Sequence, residues 1–423
     1  MLSLSLIRNH RDLVEEGLKK KNFKDLSLIS SVIELDDQRK HLQFQEDELL
    51  AQRNTASKEI GKLMSEGKKE EAELRKQRVG ELKEEIDRLA EQRKQVEAKL
   101  EDSLLRIPNL PNEKVPAGLS VEDNVEVRKG GSIPVLHDKA VPHWDLIARY
   151  DLVDFQIGVK LTGSGFPLYK GRGAKLQRAL IHYFLDYNIA AGYTEFIPPH
   201  MVNAASAFGT GQLPDKEGQM YHVTADDLYL IPTAEVPITN IYRDEIVPQD
   251  QLPIKMTAYT PCFRREAGSF GKDVRGLNRV HQFDKVEIVH ITQASNSYTV
   301  LEEMVTHVEK LVQSLHLPYR ILKLCGGDMS FASALTYDFE VYSTAQEKWL
   351  EVSSVSNFES FQTNRLKLRT KDDQGKTQLL HTLNGSALAL PRILASILEN
   401  NQTPEGIVIP EVLRPYFGAS IID

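Results

Sequence analysis

The sequence predicts an α+β protein, a largely antiparallel sheet with helices packed on it, preceded by an arm of two antiparallel helices. Three observations predict it. Apolar residues recur every three or four positions over residues 28–100, with one break in the middle. Short strand-like stretches then follow one another through hairpin-like loops, without βαβ crossovers. Between the two patterns, near residue 106, composition shifts to Pro and Asn.

The arm shows the clearest periodicity. Leu28, Val32, Leu35, Arg39, Leu42, Glu46, Leu49, Arg53, Ala56, Ile60 and Leu63 follow a four-three spacing. Ser65-Glu66-Gly67-Lys68 interrupts it, and it resumes at Ala72, Arg75, Val79, Leu82, Ile86, Leu89, Arg93, Val96 and Leu100. A short turn between two such helices forces an antiparallel hairpin. Arg39, Glu46 and Arg53 are polar seam positions that either fix register or stay wet. The second helix carries Lys68, Lys69, Arg75, Lys76, Arg78, Lys83, Arg88, Arg93 and Lys94 among acids. The arm therefore reads either as a coiled-coil spacer with a solvated charged face or as a lever reaching a large partner.

The expected domains are 1–105, the N-terminal arm domain, 106–150, a linker or entry segment, and 151–423, the mixed α+β domain. In the last, helices are expected at 174–190, at 294–315 and after Gly385. Strands are expected at 194–197, 228–231, 256–264, 280–290, 336–342 and 349–356.

The chain has 423 residues, 41% hydrophobic and 26% charged, enough to bury a real core. Its two cysteines, Cys262 and Cys325, give neither a disulfide framework nor zinc-ligand spacing, so no zinc is expected and a reducing cytoplasm is. No apolar run approaches the roughly 20 residues that span a bilayer, so no membrane partner is expected. The net charge of -8 gives no whole-chain pull toward nucleic acid; any such binding must use local patches. There is no P-loop, no GxGxxG after a strand and no HExxH.

Against that acidic background, "PCFRREAGSFGKDVRGLNRVHQFDKVEIV" (261–289) concentrates arginines in a glycine-rich hairpin. Arg264 and Arg265 at a strand end suit phosphate, because guanidinium is a planar, permanently charged fork. A solvated hairpin tip explains the same residues. Phe283 and Glu287, four apart, face one side of a strand and suggest a base and an amine. In "LIPTAEVPITN", Thr233 and Glu235 alternate to one side, binding an ammonium and a hydroxyl or capping the next helix. In "WLEVSSVSNFESFQTNR", a glutamate and several hydroxyls at a strand end offer oxygen ligands for Mg²⁺, or form a polar edge. In "HTLNGSALALPRILASILEN", Gly385-Ser386 precedes an apolar helix with Arg392 in its first turns. A helix N-terminus favours anions, although a core helix with one snorkelling arginine reads equally well.

The order of these pieces is more specific than any one of them. The chain resembles bacterial-type seryl-tRNA synthetases, of the class II aminoacyl-tRNA synthetases, over essentially its whole length. "AAGYTEFIPPHMV" with the preceding helix resembles motif 1, "PCFRREAGS" through "HQFDKVE" motif 2, and "NGSALALPRILASILEN" motif 3. The TAE triplet and the two-helix arm narrow the class to serine. The family usually has small residues where Arg265 and Pro391 stand, which touches the local loop shape and the helix start.

The resemblance implies a class II catalytic domain and a homodimer built on motif 1. It implies a ligase that converts L-serine and ATP to seryl-adenylate with Mg²⁺, then charges tRNA(Ser) and, in many relatives, tRNA(Sec). Thr233, Ala234, Glu235 and Glu287 would surround the serine amino group, with Ser386 near its hydroxyl. Arg264 would clamp the α-phosphate, with Arg265 beside it. Glu266 and the Val280 backbone would meet adenine, and Phe283 would stack on it. Glu351 and Ser354 would hold Mg²⁺, with Val352 and Ser353 on the same strand, and Arg392 would meet the γ-phosphate. An enzyme charging a carrier protein would keep the ATP site without needing the arm. A non-catalytic paralogue would be expected to lose some of these charged groups.

Overall fold

The computed structural model describes residues 1–215, 217–266 and 275–423. Gly268 and Gly271 of the hairpin loop lie outside the described residues. The chain forms two compact units, Met1–Lys19 with Phe23–Pro108, and Lys20–Asn22 with Asn109–Asp423.

In the first unit, helices Ser27–Ser65 and Lys69–Leu105 pair as a hairpin. At about 1.5 Å per residue each approaches 60 Å. Gly67 turns the chain at the tip with φ +77, a conformation that side chains resist. The seam is apolar where Leu82, Ile86 and Leu89 are buried. Its polar positions Arg39, Glu46 and Arg93 are paired: Glu46 takes Arg93 Nε across the hairpin at 2.9 Å, and Arg39 holds Asp36 at 2.9 Å. Asp36 is 1% exposed. Burial pushes its carboxyl up, but hydrogen bonds from Lys40 and Arg39 outweigh this and hold it below the usual range.

The second unit is built on an eight-stranded sheet: β1 (Val125–Gly130), β2 (Thr194–Glu195), β3 (Ile254–Phe263), β4 (Gln282–Thr292), β5 (Tyr319–Lys323), β6 (Leu335–Ser343), β7 (Lys348–Glu359) and β8 (His381–Ala389). Their spatial order is β1-β5-β6-β7-β8-β4-β3-β2. Every pair is antiparallel except β2 with β3 at one edge. Helices Gly171–Ala190, Ser297–Ser314 and Leu390–Asn400 bury apolar stripes in the main core, for example Val300, Met304, Val308 and Leu311. Among the described residues no helix is long and apolar enough to cross a membrane.

Three local expectations are corrected. Gly385 and Ser386 lie inside β8, four residues short of the helix. Gly385 sits between Ile288 of β4 and Val355 of β7, and a Cβ there would meet the Val355 side chain at 2.9 Å. The helix starts at Leu390, with Pro391 in its first turn, where the missing N–H leaves no bond unmade. Thr233 and Glu235 do not alternate along a strand, because Glu235 begins a short helix, Glu235–Thr239. Residues 106–150, expected to link two domains, carry β1 and the helix His143–Arg149. Asn109 Nδ2 also donates to the carbonyls of Ala332 and Phe358.

Candidate active site

β3 and β4 run antiparallel in continuous register, Gln282 opposite Phe263 and Glu287 opposite Ala258. Their alternation carries Phe283, Lys285 and Glu287 on one face. On the other flank of β4, the pairing with β8 slips between Lys285 and Glu287, which sets Ser386 opposite Glu287. The short turn before helix Glu235–Thr239 brings Thr233 to the same place.

Thr233 Oγ1 donates to Glu287 Oε2 at 3.2 Å and accepts from the Glu235 amide at 3.2 Å. Lys285 Nζ donates to Thr233 Oγ1 at 3.0 Å and pairs with the Glu287 carboxylate. Glu235 Oε1 accepts from Gln362 Nε2 at 2.6 Å, and Gln362 Oε1 accepts from Thr382 at 2.6 Å. Burial pushes the Glu235 carboxyl up to about 7; the Gln362 hydrogen bond opposes this and the Glu287 charge adds to it. Thr233, Glu235 and Glu287 thus meet in one buried cluster, with buried Ser386 opposite Glu287 in register. Ala234 turns its methyl into an apolar cluster with Ile238.

A second group of charges borders the hairpin end. The Arg264 guanidinium lies over the Phe283 ring at 5.2 Å, and its Nε donates to the Pro232 carbonyl at 3.3 Å. Glu266 pairs with Arg279 Nε at 2.7 Å, next to buried Val280. Arg265 is exposed, and its amide donates to the Gln219 carbonyl. Arg392 donates from Nε to the Asn278 carbonyl at 2.9 Å and from a terminal nitrogen to the Glu351 carbonyl at 2.7 Å. Its guanidinium also lies 3.7 Å from the Glu351 carboxylate. Ser353 Oγ donates to the Ser386 carbonyl at 2.6 Å, joining β7 to the pocket strand, while Val352 is buried in the main core.

Four site residues were not singled out from sequence. Lys285 reads as surface in "FDKVE", and only the alternation with Glu287 points it inward. Gln362 steadies Glu235 from a helix whose sequence has no motif. Asp338 stands opposite Ser354 in register. Burial first, and then the Glu351 charge, push its carboxyl well above the usual range, and its Oδ1 has no hydrogen-bond partner. His143 lies in the stretch expected to be linker. It is fully buried, bonded through Nδ1 to Glu399 at 2.6 Å, and its Nε2 accepts from the Leu277 amide at 2.9 Å. Nε2 as acceptor places the ring proton on Nδ1, toward Glu399. A side chain at Gly276 would meet that Nε2 at 2.3 Å, so glycine is required there. His143 thereby anchors the segment whose next residue, Asn278, accepts from Arg392.

An antiparallel sheet with an arginine at the β3–β4 hairpin and another in the first turn of the helix Leu390–Asn400 is the arrangement that the resemblance to class II aminoacyl-tRNA synthetases implies, and comparison with known proteins shows that class. Residues 221–401 match the family "tRNA synthetase class II core domain (G, H, P, S and T)", and residues 1–111 match the "Seryl-tRNA synthetase N-terminal domain". A serine–tRNA ligase of Salinibacter ruber is 48% identical over 99% of this chain and 98% of its own. Among solved structures, the seryl-tRNA synthetase of Pyrococcus horikoshii complexed with ATP superposes with a TM-score of 0.92 at 33% identity, covering 100% of this chain and 99% of that one. The cytoplasmic serine–tRNA ligase of Naegleria fowleri in complex with AMP gives 0.87 at 28% identity, covering 100% and 99%. The chain belongs to the seryl-tRNA synthetase family.

Proposed function

We propose the following division of labour for a serine–tRNA ligase, an ATP-dependent enzyme that activates L-serine and transfers it to tRNA. The observation that carries the assignment is the charge balance of the pocket. Glu235 and Glu287 are both buried, and among the described residues Lys285 is the one cation bonded among them. Lys285 pairs with Glu287, so the buried Glu235 carboxyl is the group left to meet a further cation, and the α-ammonium of an amino acid supplies it. Thr233, Glu235 and Glu287 bind that ammonium, the Ala234 backbone shapes the turn between them, and Ser386 faces the serine hydroxyl. A pocket that hydrogen-bonds a hydroxyl rejects alanine strongly, since its own polar groups would be left without partners.

Arg264 binds the α-phosphate and Arg392 the γ-phosphate, while Glu266 and the Val280 backbone meet adenine and Phe283 stacks on it. Arg265, exposed beside them, adds positive charge at the loop. Arg392 pairs with Glu351 and Glu266 with Arg279, so these groups already stand together around the proposed nucleotide site. Glu351 and Ser354 would hold Mg²⁺, with Val352 and Ser353 on the same strand. The orphaned Asp338 oxygen opposite Ser354 fits the same oxygen-rich donor set. The described residues hold no cluster of three acidic, His or Cys side chains, so a metal held by Glu351 and Ser354 would need further oxygen ligands, which the phosphates of ATP would offer. Bound there, Mg²⁺ supplies neutralising charge on the phosphates.

The serine carboxylate attacks the α-phosphorus in line, its P–O bond to pyrophosphate breaks, and the tRNA ribose hydroxyl then takes the seryl group from AMP. No protein nucleophile is needed. The protein contributes position and fixed positive charge at Arg264 and Arg392. The 1–105 arm domain reads tRNA(Ser) by backbone and shape. The 151–423 domain forms the homodimer through helix Gly171–Ala190 and the segment after it, where Ile197 is 87% exposed. ATP–pyrophosphate exchange with a panel of amino acids, then charging of tRNA(Ser) and tRNA(Sec), tests the reading. Serine-selective exchange with tRNA charging is expected in a cytoplasmic enzyme; exchange without tRNA charging would favour a carrier-protein substrate.

A further inference from the structure

Lysine is among the residues least often buried, yet Lys285 is 6% exposed at the floor of the amino-acid pocket. Its ammonium makes the two contacts that the proposed function gives to the substrate, Thr233 Oγ1 at 3.0 Å and the carboxylate of Glu287. The Thr233 hydroxyl has one proton and two lone pairs. The proton goes to Glu287 Oε2, and the lone pairs take the Glu235 amide and Lys285 Nζ. The hydroxyl is therefore saturated. A second ammonium can bond to it only if Lys285 lets go.

A lysine released inside a buried pocket must find another anion. The substrate brings one, because an α-amino acid carries its carboxylate on the same carbon as its ammonium. We infer that Lys285 is an internal placeholder for the substrate's α-ammonium, which yields Thr233 and Glu287 to it and turns to the substrate's carboxylate. The exchange selects a zwitterion. An amine without a carboxylate would expel the lysine and offer it nothing, so the pocket discriminates against amino-alcohol and amide analogues that fit its shape. Lys285 also brings a positive charge to the carboxyl group that attacks the α-phosphorus, beyond what Arg264 supplies.

The inference rests on the pocket assignment above, and the test separates the two. L-Serine and L-serinamide, which keeps the ammonium and hydroxyl but lacks the carboxylate, are compared in ATP–pyrophosphate exchange, the second as a competitive inhibitor. In Lys285→Met the serine KM is expected to rise about tenfold or more, through loss of a charge-assisted contact. Serinamide, freed of a competitor, binds as well or better, and the KM for ATP holds. Lys285→Arg keeps a preference for serine over serinamide. An equal shift for both ligands in Lys285→Met would overturn the inference, since a merely structural lysine affects both alike. A crystal structure of the unaltered protein with L-serine decides the matter without any variant. Nζ on the serine carboxylate supports the exchange, and Nζ still on Thr233 with serine bound at Glu287 overturns it. Serine bound away from Glu287 would overturn the pocket assignment, and this inference with it.

Discussion

Along the arm, charged side chains pair with near neighbours at the surface. Arg78 meets Glu81 at 3.0 Å, Lys76 meets Glu73 at 3.0 Å and Arg88 meets Glu85 at 3.5 Å, all on one helix and all exposed. In the pocket, Glu235 comes from a short helix and Lys285 and Glu287 from β4, and all three are almost wholly buried. Exposed pairs of the first kind are worth about 0–1 kcal/mol and exchange readily for another partner such as phosphate. Buried charges of the second kind are costly unless every one is matched, so they are tied to a ligand of defined charge. One region suits a large, shape-read polyanion and the other a small zwitterion.

The largest effect should come from unbalancing the pocket. Glu287→Gln removes the charge opposite the substrate ammonium, and kcat/KM for serine in pyrophosphate exchange should fall about 100- to 1,000-fold, as for other truncated buried charge pairs. The KM for ATP should hold. A variant in which ATP affinity fell and serine affinity did not would move Glu287 out of the serine site.

The phosphate arginines come next. Arg264→Ala or Arg392→Ala should slow adenylate formation by about 100-fold, the cost of removing one fixed donor from a developing charge. Sedimentation should find the variants folded, and near-normal exchange in both would reject the phosphate assignment.

Proton linkage sharpens the comparison further. The Glu235 carboxyl is raised to about 7 by burial, so the fold favours its protonated form. That contribution to stability is full below the ordinary carboxylate pKa and is lost as pH rises through about 7. Glu235→Gln should therefore stabilise the serine-free protein at pH 8 and change it little at pH 4, read as thermal unfolding at both. Serine acts in the opposite sense, since its ammonium favours the ionised carboxylate. Serine affinity of the unaltered protein should thus climb about tenfold from pH 6 to pH 8.

These groups were not equally legible in the sequence. Thr233, Glu235, Arg264, Glu287 and Arg392 lie in short motifs whose order is informative, and the arm declares itself through a long periodicity with one break at Ser65–Lys68. Lys285 was hidden because a lysine beside Asp284 looks like the solvent face of a strand; two buried carboxylates reverse that default. His143 was hidden in a Pro-rich stretch without periodicity, whose order comes from long-range bonds to Glu399 and Leu277. Gly385 looked like a helix boundary because glycine before an apolar run ordinarily marks one. Here it lets β8 pass closely beside Val355.

The smallest effect belongs to the arm surface. Replacing Arg75, Arg78 and Lys83 together should weaken tRNA(Ser) charging a few-fold, through KM for tRNA. The gap should narrow as salt rises, because each lost phosphate contact lowers the salt slope by about 1. Pyrophosphate exchange should be untouched.

The division between the two regions is tested most directly by removing residues 34–99, closing the ends with a short glycine-containing turn, and measuring both activities on one preparation whose dimer is verified by sedimentation. The account predicts nearly intact serine activation and a sharp loss of tRNA(Ser) charging, mostly through weaker tRNA binding. Full charging without the arm, or loss of serine activation along with it, would contradict it.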